Sequence, residues 1–157
     1  MGGIKMIEYA IKEAMQTIEK NLGGPFGALI TNKDGSVISI ASNTVLGNND
    51  PTAHAEINAI RLACKKLGTY DLTGCTIHTT SYPCPMCIGA IICSNIKIVY
   101  YGCSYQDAKK AGFRDDLIYK FIKSGCKDEK ILKINQIDRD KCIKLFEKYK
   151  DENKQIY

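Results

Sequence analysis

The sequence predicts a three-layer α/β domain, and three of its features lead to that prediction. Two apolar segments flank Asp34-Gly35, which is a strong hairpin signal. Strand-like and helix-like segments then alternate as far as Tyr101, a pattern typical of helices packed on a sheet. No internal repeat and no linker rich in Gly, Pro or Ser divides the chain, so we expect one domain over residues 1–157.

The composition indicates a globular protein. Hydrophobic residues make up 45% of the chain and charged residues 25%. No apolar run approaches the ~18 residues of a membrane span, and charges interrupt residues 1–20, unlike a signal peptide. We therefore expect a cytoplasmic protein with no membrane partner, whose eight cysteines stay reduced. The net charge of +5 comes from scattered lysines, which permit an anionic partner without requiring one.

The first segment predicts an amphipathic helix over residues 1–20, because apolar side chains recur there at helical spacing. These side chains are Ile4, Ile7, Ile11, Met15, Ile18 and Leu22. A turn-rich connection leads into the apolar strand 28–30, and 37–41 is the returning strand of the hairpin. Asn43 lies just beyond that strand, where a polar side chain can point into a site.

Prolines mark the starts of the next two helices. Pro51 suits a first helical position with Asp50 as its N-cap. Pro83 and Pro85 follow a β-type run, forbid its continuation and favour a helix start. The predicted elements are a helix over 52–67, a strand over 75–80, a helix reaching about residue 94 and a strand over 96–101.

Beyond Tyr101 the pattern becomes more helical and more charged. Helices are predicted over 104–111, 115–123 and 138–150, with a short strand over 131–137. The last residues, 151–157, are mostly charged and end on an aromatic side chain. The default expectation for such a tail is fraying.

Two short segments supply the side chains of a catalytic zinc site. His54 offers an imidazole, and Cys84 and Cys87 offer thiols at a spacing that lets both sulfurs turn toward one point at a helix N-terminus. Zinc prefers tetrahedral nitrogen and sulfur ligands, and a catalytic site keeps a fourth position for water. Glu56 stands beside His54 without being needed as a ligand. We therefore predict one Zn²⁺ per subunit, with Glu56 as the proton carrier.

Each part of this set has an ordinary structural explanation when taken alone. A Cys-x-x-Cys pair is often half of a structural zinc site or a redox pair, and a single histidine on a helix is usually packed or exposed. The joint pattern His-Ala-Glu followed by Pro-Cys-Pro-Met-Cys is more specific, and it matches the zinc deaminase signature. In hydrolytic deamination, water attacks a ring carbon and ammonia leaves once Glu56 has protonated the amine. His78 lies in a strand without a partner motif and is interpreted as structural.

The chain resembles the cytidine deaminase superfamily over nearly its whole length. The resemblance rests on Gly24-Pro-Phe-Gly-Ala28, Asn43, 49–57 and Pro83-Cys-Pro-Met-Cys87, which suit both tRNA-specific adenosine deaminases and bacterial guanine deaminases. Segment 111–120 and the terminal Tyr157 favour the guanine deaminase branch.

The resemblance implies a three-layer α/β/α fold with a mixed central sheet, and a purine base as the substrate. Guanine would be converted to xanthine, with Asn43 hydrogen-bonding its edge and Phe26 packing beside its ring. Asp115 would be a second proton carrier alongside Glu56. The resemblance also implies a homodimer whose C-terminal helical parts are exchanged, which brings Tyr157 into the active site of the other subunit.

Other functions remain open from the sequence. A tRNA-specific adenosine deaminase, or a deaminase of another purine or nucleoside, would use the same zinc chemistry. Gripping RNA calls for clustered Lys and Arg, whereas Lys65-Lys66 and Lys109-Lys110 are short pairs, so no nucleic-acid partner is expected. A zinc-stabilised binding module without enzymatic activity would have no use for the unliganded Glu56.

Overall fold

The computed structural model of the chain describes residues 2–157, with side chains described from Met6 onward. The chain divides after Asp115 into two compact units. The first contains α1 (Gly2–Glu19), β1 (Gly27–Thr31), β2 (Val37–Ser42), α2 (Val45–Asn48), α3 (Ala55–Leu67), β3 (Thr76–Ser81), α4 (Pro85–Cys93), β4 (Ile98–Cys103) and α5 (Tyr105–Lys110). The second contains α6 (Asp116–Lys123) and α7 (Arg139–Asp151). Within residues 2–157, no helix combines the length and apolar character needed to cross a membrane.

The sheet of the first unit is mixed, as predicted. Its strand order is β2-β1-β3-β4. β1 pairs antiparallel with both β2 and β3, whereas β3 and β4 run parallel. In the predicted hairpin turn, Gly35 has a φ of +83°, a left-handed value that glycine adopts without steric cost. The fold class predicted from the sequence is confirmed.

Alternation along the strands directs side chains to two helical layers. On one face, Ala28 and Ile30 of β1 pack with Ile77 of β3 against alanines of α3. These alanines are Ala55, Ala59 and Ala63. On the other face, Thr17 of α1 donates a hydrogen bond to Ser42 of β2. The sheet is therefore covered on both faces, which holds the C-terminal end of β3 beneath the start of α3.

The helix predicted at the N-terminus is present, but it does not bury the apolar stripe that predicted it. Ile11, Met15 and Ile18 are exposed, and the buried residues of α1 are small, such as Ala10. The side chain of Ile4 lies outside the described residues. The cause is close packing, because a Cβ placed at Gly27 of β1 would lie 2.0 Å from the Ala10 carbonyl oxygen. Only small side chains fit where the helix approaches the strand so closely.

The strand predicted over 96–101 begins two residues later, at Ile98. Ile96 instead belongs to the buried core, and its backbone N–H donates to the Ile91 carbonyl at the end of α4. β4 forms an edge of the sheet, and all of its residues are exposed in this chain. The exposed apolar side chains of β4 are Ile98, Val99, Tyr100 and Tyr101. This edge presents an uncovered apolar surface.

The second unit confirms two predicted helices and contradicts one predicted strand. Helices α6 and α7 match the predicted ranges to within one residue at each end. Residues 131–137 form no strand, and Leu132, Ile134 and Ile137 are exposed. A strand requires a neighbour to satisfy its backbone groups, and the regular elements described in this unit are helices. The apolar spacing of 131–137 was therefore a misleading signal.

His78 is buried on the sheet face opposite α3, as the structural interpretation expected. Its ring stacks on Tyr100 with the centroids 5.2 Å apart, and Thr31 Oγ1 lies 3.5 Å from its Nε2. Its Nδ1 is buried and has no hydrogen-bond partner among the described residues. Burial lowers the pKa of His78 below its ordinary value of 6.5, because the charged ring would lose hydration.

The burial of neutral His78 predicts a pH-dependent stability. Because its pKa is lower in the folded state than in the unfolded state, its contribution is fully present above pH 6.5 and declines as the pH falls through the folded pKa. The free energy of unfolding of the wild type minus that of His78→Gln should therefore fall between pH 7.5 and 5.5, by at most about 1.4 kcal/mol per pH unit. Urea unfolding at each pH measures this difference. His54 is common to both proteins, so its titration cancels, and a pH-independent difference would contradict the prediction.

Candidate active site

The start of α3 differs from the prediction, and the difference places two functional side chains. The helix begins at Ala55 rather than at residue 52. Asp50 Oδ1 accepts hydrogen bonds from the backbone N–H and the hydroxyl of Thr52, at 2.8 and 2.7 Å. Asp50, which was predicted to cap the helix, therefore caps a local turn instead. The side-chain hydrogen bond is of the same type in both cases. His54 becomes the N-cap residue with an extended backbone, and Glu56 lies in the first helical turn.

A second helix begins in the same manner at the other ligand segment. Cys84 is the N-cap residue of α4, also with an extended backbone, and Pro85 follows at the first turn. Cys87 lies within that first turn and is fully buried. The two helices thus present their positive N-terminal ends to one region, which favours thiolates there.

The three predicted ligands are close together in the structure. His54 Nδ1 lies 3.6 Å from the sulfur of Cys84 and 3.6 Å from the sulfur of Cys87. All three ligand atoms lie within 4.8 Å of one another. A tetrahedral zinc ion with bonds of ~2.1 Å to nitrogen and ~2.3 Å to sulfur would separate those atoms by ~3.6 Å. The donor set and its spacing therefore fit zinc.

The electrostatics of the cluster also favour a cation. A hydrogen bond from Cys87 and the neighbouring His54 imidazole lower the pKa of the Cys84 thiol to about 4. The pKa of Cys87 is raised, because its proton is shared with the Cys84 thiolate. The hydrogen bond to Cys84 raises the pKa of His54, and burial raises the pKa of Glu56. The Cys84 thiolate is thus stabilised by neighbouring proton donors, and a divalent ion would replace them by displacing the shared proton.

Glu56 lies beside the metal cluster and is 5% exposed. The hydroxyl of Thr79 in β3 donates to its Oε1 at 2.9 Å. Its Oε2 lies 3.5 Å from the Cys87 sulfur. The carboxyl group is thus held in place by a neighbouring strand at the edge of the ligand set, where it can exchange protons with a molecule bound next to the metal.

A cavity of about 680 Å³ opens beside these side chains. Its wall includes His54, Glu56 and Cys84 together with the predicted Asn43, Phe26 and Asp115. The volume is in the range of sites for small organic ligands. All of the lining residues belong to the first unit. The remaining predicted substrate contact, Tyr157, belongs to the second unit and is 92% exposed.

Asn43 is buried and fixed in the cavity wall. Its Oδ1 accepts hydrogen bonds from the backbone N–H groups of Gly24, at 3.3 Å, and Val45, at 3.1 Å. These bonds orient the amide and leave its Nδ2 as the group available to donate to a ligand. The side chain therefore acts as a preset donor on the cavity wall.

Aromatic side chains form another part of the wall, and Phe26 is the one among them that was predicted from the sequence. Phe26 meets Phe113 edge to face, with the ring centroids 4.8 Å apart. Phe113, Ser81 and Tyr82 were missed as cavity residues. A signal existed for each, since Phe113 immediately precedes Arg114-Asp115 and the other two immediately precede Pro83.

Comparison with known proteins places this geometry in context. Residues 4–103 match the model of the cytidine and deoxycytidylate deaminase zinc-binding region. The guanine deaminase of Bacillus subtilis is 46% identical over 80% of this chain and 80% of its own length. The X-ray structure of guanine deaminase from Bacillus subtilis is similar with a TM-score of 0.91 and 39% identity, covering 100% of this chain and 99% of that one. A tRNA-specific adenosine deaminase of Buchnera aphidicola is 37% identical over 83% of both chains.

The ligand geometry predicts which cysteines hold metal. Cys84→Ser should reduce bound zinc from about one equivalent to less than about a tenth, because a serine hydroxyl is a much poorer zinc ligand than a thiolate. Cys93→Ser is the matched control, since Cys93 is exposed at the end of the same helix. Atomic absorption after dialysis against a weak chelator measures the metal content. Equal zinc in Cys84→Ser and the control would contradict the assignment.

Proposed function

This chain belongs to the zinc-binding family of cytidine and deoxycytidylate deaminases, and from that premise we propose that it is a guanine deaminase, which converts guanine and water into xanthine and ammonia. One observation carries the choice of substrate: the similarity to the guanine deaminase structure extends over the entire chain, including the second unit. The higher identity to a guanine deaminase than to the tRNA-specific relative supports the same choice.

The role of the metal centre in this reaction is to activate water. Zinc held by His54, Cys84 and Cys87 supplies Lewis acidity that lowers the pKa of water from 15.7 to about 7. Both sulfurs lie at the N-terminus of α4, whose dipole would stabilise them as thiolates when the metal displaces the remaining proton. The zinc dependence of this enzyme follows from its family and from these three side chains.

Glu56 moves the protons of the reaction. Its carboxylate accepts a proton from the attacking water while the water oxygen bonds to C2 of the purine and the C2=N3 double bond opens, leaving its electron pair on N3. The same carboxyl then donates to the exocyclic nitrogen, after which the exocyclic C2–N bond breaks, ammonia leaves and the C2=N3 bond re-forms to give the 2-hydroxy tautomer of xanthine. Thr79 holds Oε1, which leaves Oε2 facing the ligand cluster for this exchange. Asp115, on the wall of the same cavity, is the second proton carrier of this proposal.

In the proposed enzyme, two further side chains recognise the base. The amide of Asn43, fixed by two backbone N–H groups, donates from Nδ2 to an acceptor on the edge of guanine. Phe26, supported edge to face by Phe113, packs beside the purine ring. Aromatic contacts of this type contribute about 0.5–1.5 kcal/mol beyond burial.

The proposal also includes a homodimer. Residues 1–157 form one deaminase domain, and the two subunits exchange their second units. The exposed apolar side chains of β4 support it, since a surface of this kind marks an interface. Tyr157 is exposed at the chain terminus and is assigned to the active site of the other subunit. We place this dimer in the cytoplasm, where reducing conditions keep Cys84 and Cys87 available as ligands.

Substitution of the proton carrier tests the catalytic assignment. Glu56→Gln should lower kcat for guanine by about 10²- to 10⁴-fold, because the amide cannot relay a proton, while zinc content stays at one equivalent. Glu8→Gln, an exposed substitution on α1, is the control and should leave kcat unchanged. Ammonia release and metal analysis provide the two readouts. Loss of zinc together with activity would show that Glu56 is structural.

A substrate panel separates guanine from the competing assignment. Zinc-loaded protein should release ammonia from guanine at least about tenfold faster than from adenine, cytosine, their nucleosides or an anticodon stem-loop, because Asn43 and Phe26 form a site for a free purine base. Efficient deamination of the stem-loop without activity on guanine would instead establish a tRNA-specific adenosine deaminase.

Removal of Tyr157 tests the exchanged dimer. Deleting this residue should lower kcat/KM for guanine at least about tenfold, since the site loses a residue that closes it, whereas Ile156→Ala should not. Mixing and refolding the two impaired proteins, Glu56→Gln and the Tyr157 deletion, should then raise activity above that of either alone, because a mixed dimer has one site with both residues. No recovery in the mixture would show that Tyr157 does not act in the other subunit.

A further inference from the structure

One buried hydroxyl of the first unit lacks a hydrogen-bond partner. Ser81, the last residue of β3, is 6% exposed, and its Oγ makes no hydrogen bond among the described residues. The other buried serines are paired: Ser39 donates to the Ala59 carbonyl, Ser42 accepts from Thr17, and Ser94 donates to the Ile91 carbonyl. Buried polar groups are nearly always paired, so an exception at this position calls for a ligand.

The direction of the Ser81 side chain is set by the strand. Side chains two residues apart on a strand share one face of the sheet, so Ser81 lies on the same face as Thr79. Thr79 already holds the Glu56 carboxyl, and Ser81 lines the cavity with Glu56 and His54. Ser81 is therefore part of the cavity wall, and its unpaired hydroxyl lies on the sheet face that holds the proton carrier.

We propose that Ser81 is a further substrate-binding residue, whose Oγ accepts a hydrogen bond from the exocyclic amino group of the bound purine. This assignment rests on the proposed guanine deamination. The amino group must lie next to Glu56, because that carboxyl protonates it as it leaves. A purine amino group offers N–H donors, and the Ser81 hydroxyl offers lone pairs that none of the described residues uses. The contact selects purines that carry an amino group at the reacting carbon.

Binding without turnover tests the contact directly. In zinc-loaded Glu56→Gln protein, adding Ser81→Ala should weaken guanine binding about 3- to 10-fold, the loss expected for one neutral hydrogen bond. Hypoxanthine is guanine without the 2-amino group, so its affinity should not change. Calorimetric titration of both purines into the single and double variants measures the two dissociation constants. A structural effect of the substitution would move both constants together.

Ser39→Ala in the same Glu56→Gln background is the matched control. Its hydroxyl is equally buried on the α3 face of the sheet but is bonded to Ala59, and it does not line the cavity. This variant should lower the melting temperature and leave both affinities unchanged. Equal losses for guanine and hypoxanthine with Ser81→Ala, or no loss for guanine, would overturn the role of Ser81. Failure of the Glu56→Gln protein to bind either purine would overturn the guanine assignment itself, and the Ser81 contact with it.

Discussion

The convergence of two helix starts is the constraint on which the rest of the structure depends. His54 and Cys84 are both N-cap residues, and Cys87 follows in the first turn of its helix, so three ligand atoms meet within 4.8 Å. The helix dipoles favour the thiolates, and thiolates favour a cation. β3 lies beneath this point and contributes Thr79, which fixes Glu56 beside the ligands. The sheet order and the two helix starts therefore together determine the geometry of the metal site.

This arrangement accounts for the reaction, whereas the substrate depends on residues around it. Zinc ligands and a buried carboxyl suit deamination of several nitrogen heterocycles, and this chain is similar both to a guanine deaminase and to a tRNA-specific adenosine deaminase. Preference for guanine is assigned to Asn43, whose amide is held by backbone donors, to the wall formed by Phe26, and to Ser81. These groups surround the metal cluster on one cavity, so modest changes in its wall can alter the substrate without altering the chemistry.

The sequence predicted most of the fold, and its failures have local physical causes. The hairpin at Asp34-Gly35 and the ligand spacing were reliable because turn chemistry and metal geometry allow few alternatives. The predicted start of α3 was wrong because Asp50 can cap a turn as well as a helix. The apolar stripe that predicted α1 is exposed, because the close approach of this helix to Gly27 is a tertiary contact that no periodicity encodes. The unpaired state of the Ser81 hydroxyl could not be predicted, since a missing hydrogen bond is visible only in three dimensions.

In the proposed reaction, zinc held by His54, Cys84 and Cys87 would promote addition of water to C2 of guanine. Mass spectrometry of the purine product tests this role, with zinc-loaded protein in water labelled with oxygen-18 compared with protein stripped of metal. We expect xanthine carrying one labelled oxygen at C2, one ammonia released per xanthine, and loss of both products on metal removal with recovery on adding zinc. Unlabelled xanthine, or equal turnover by the metal-stripped protein, would contradict it.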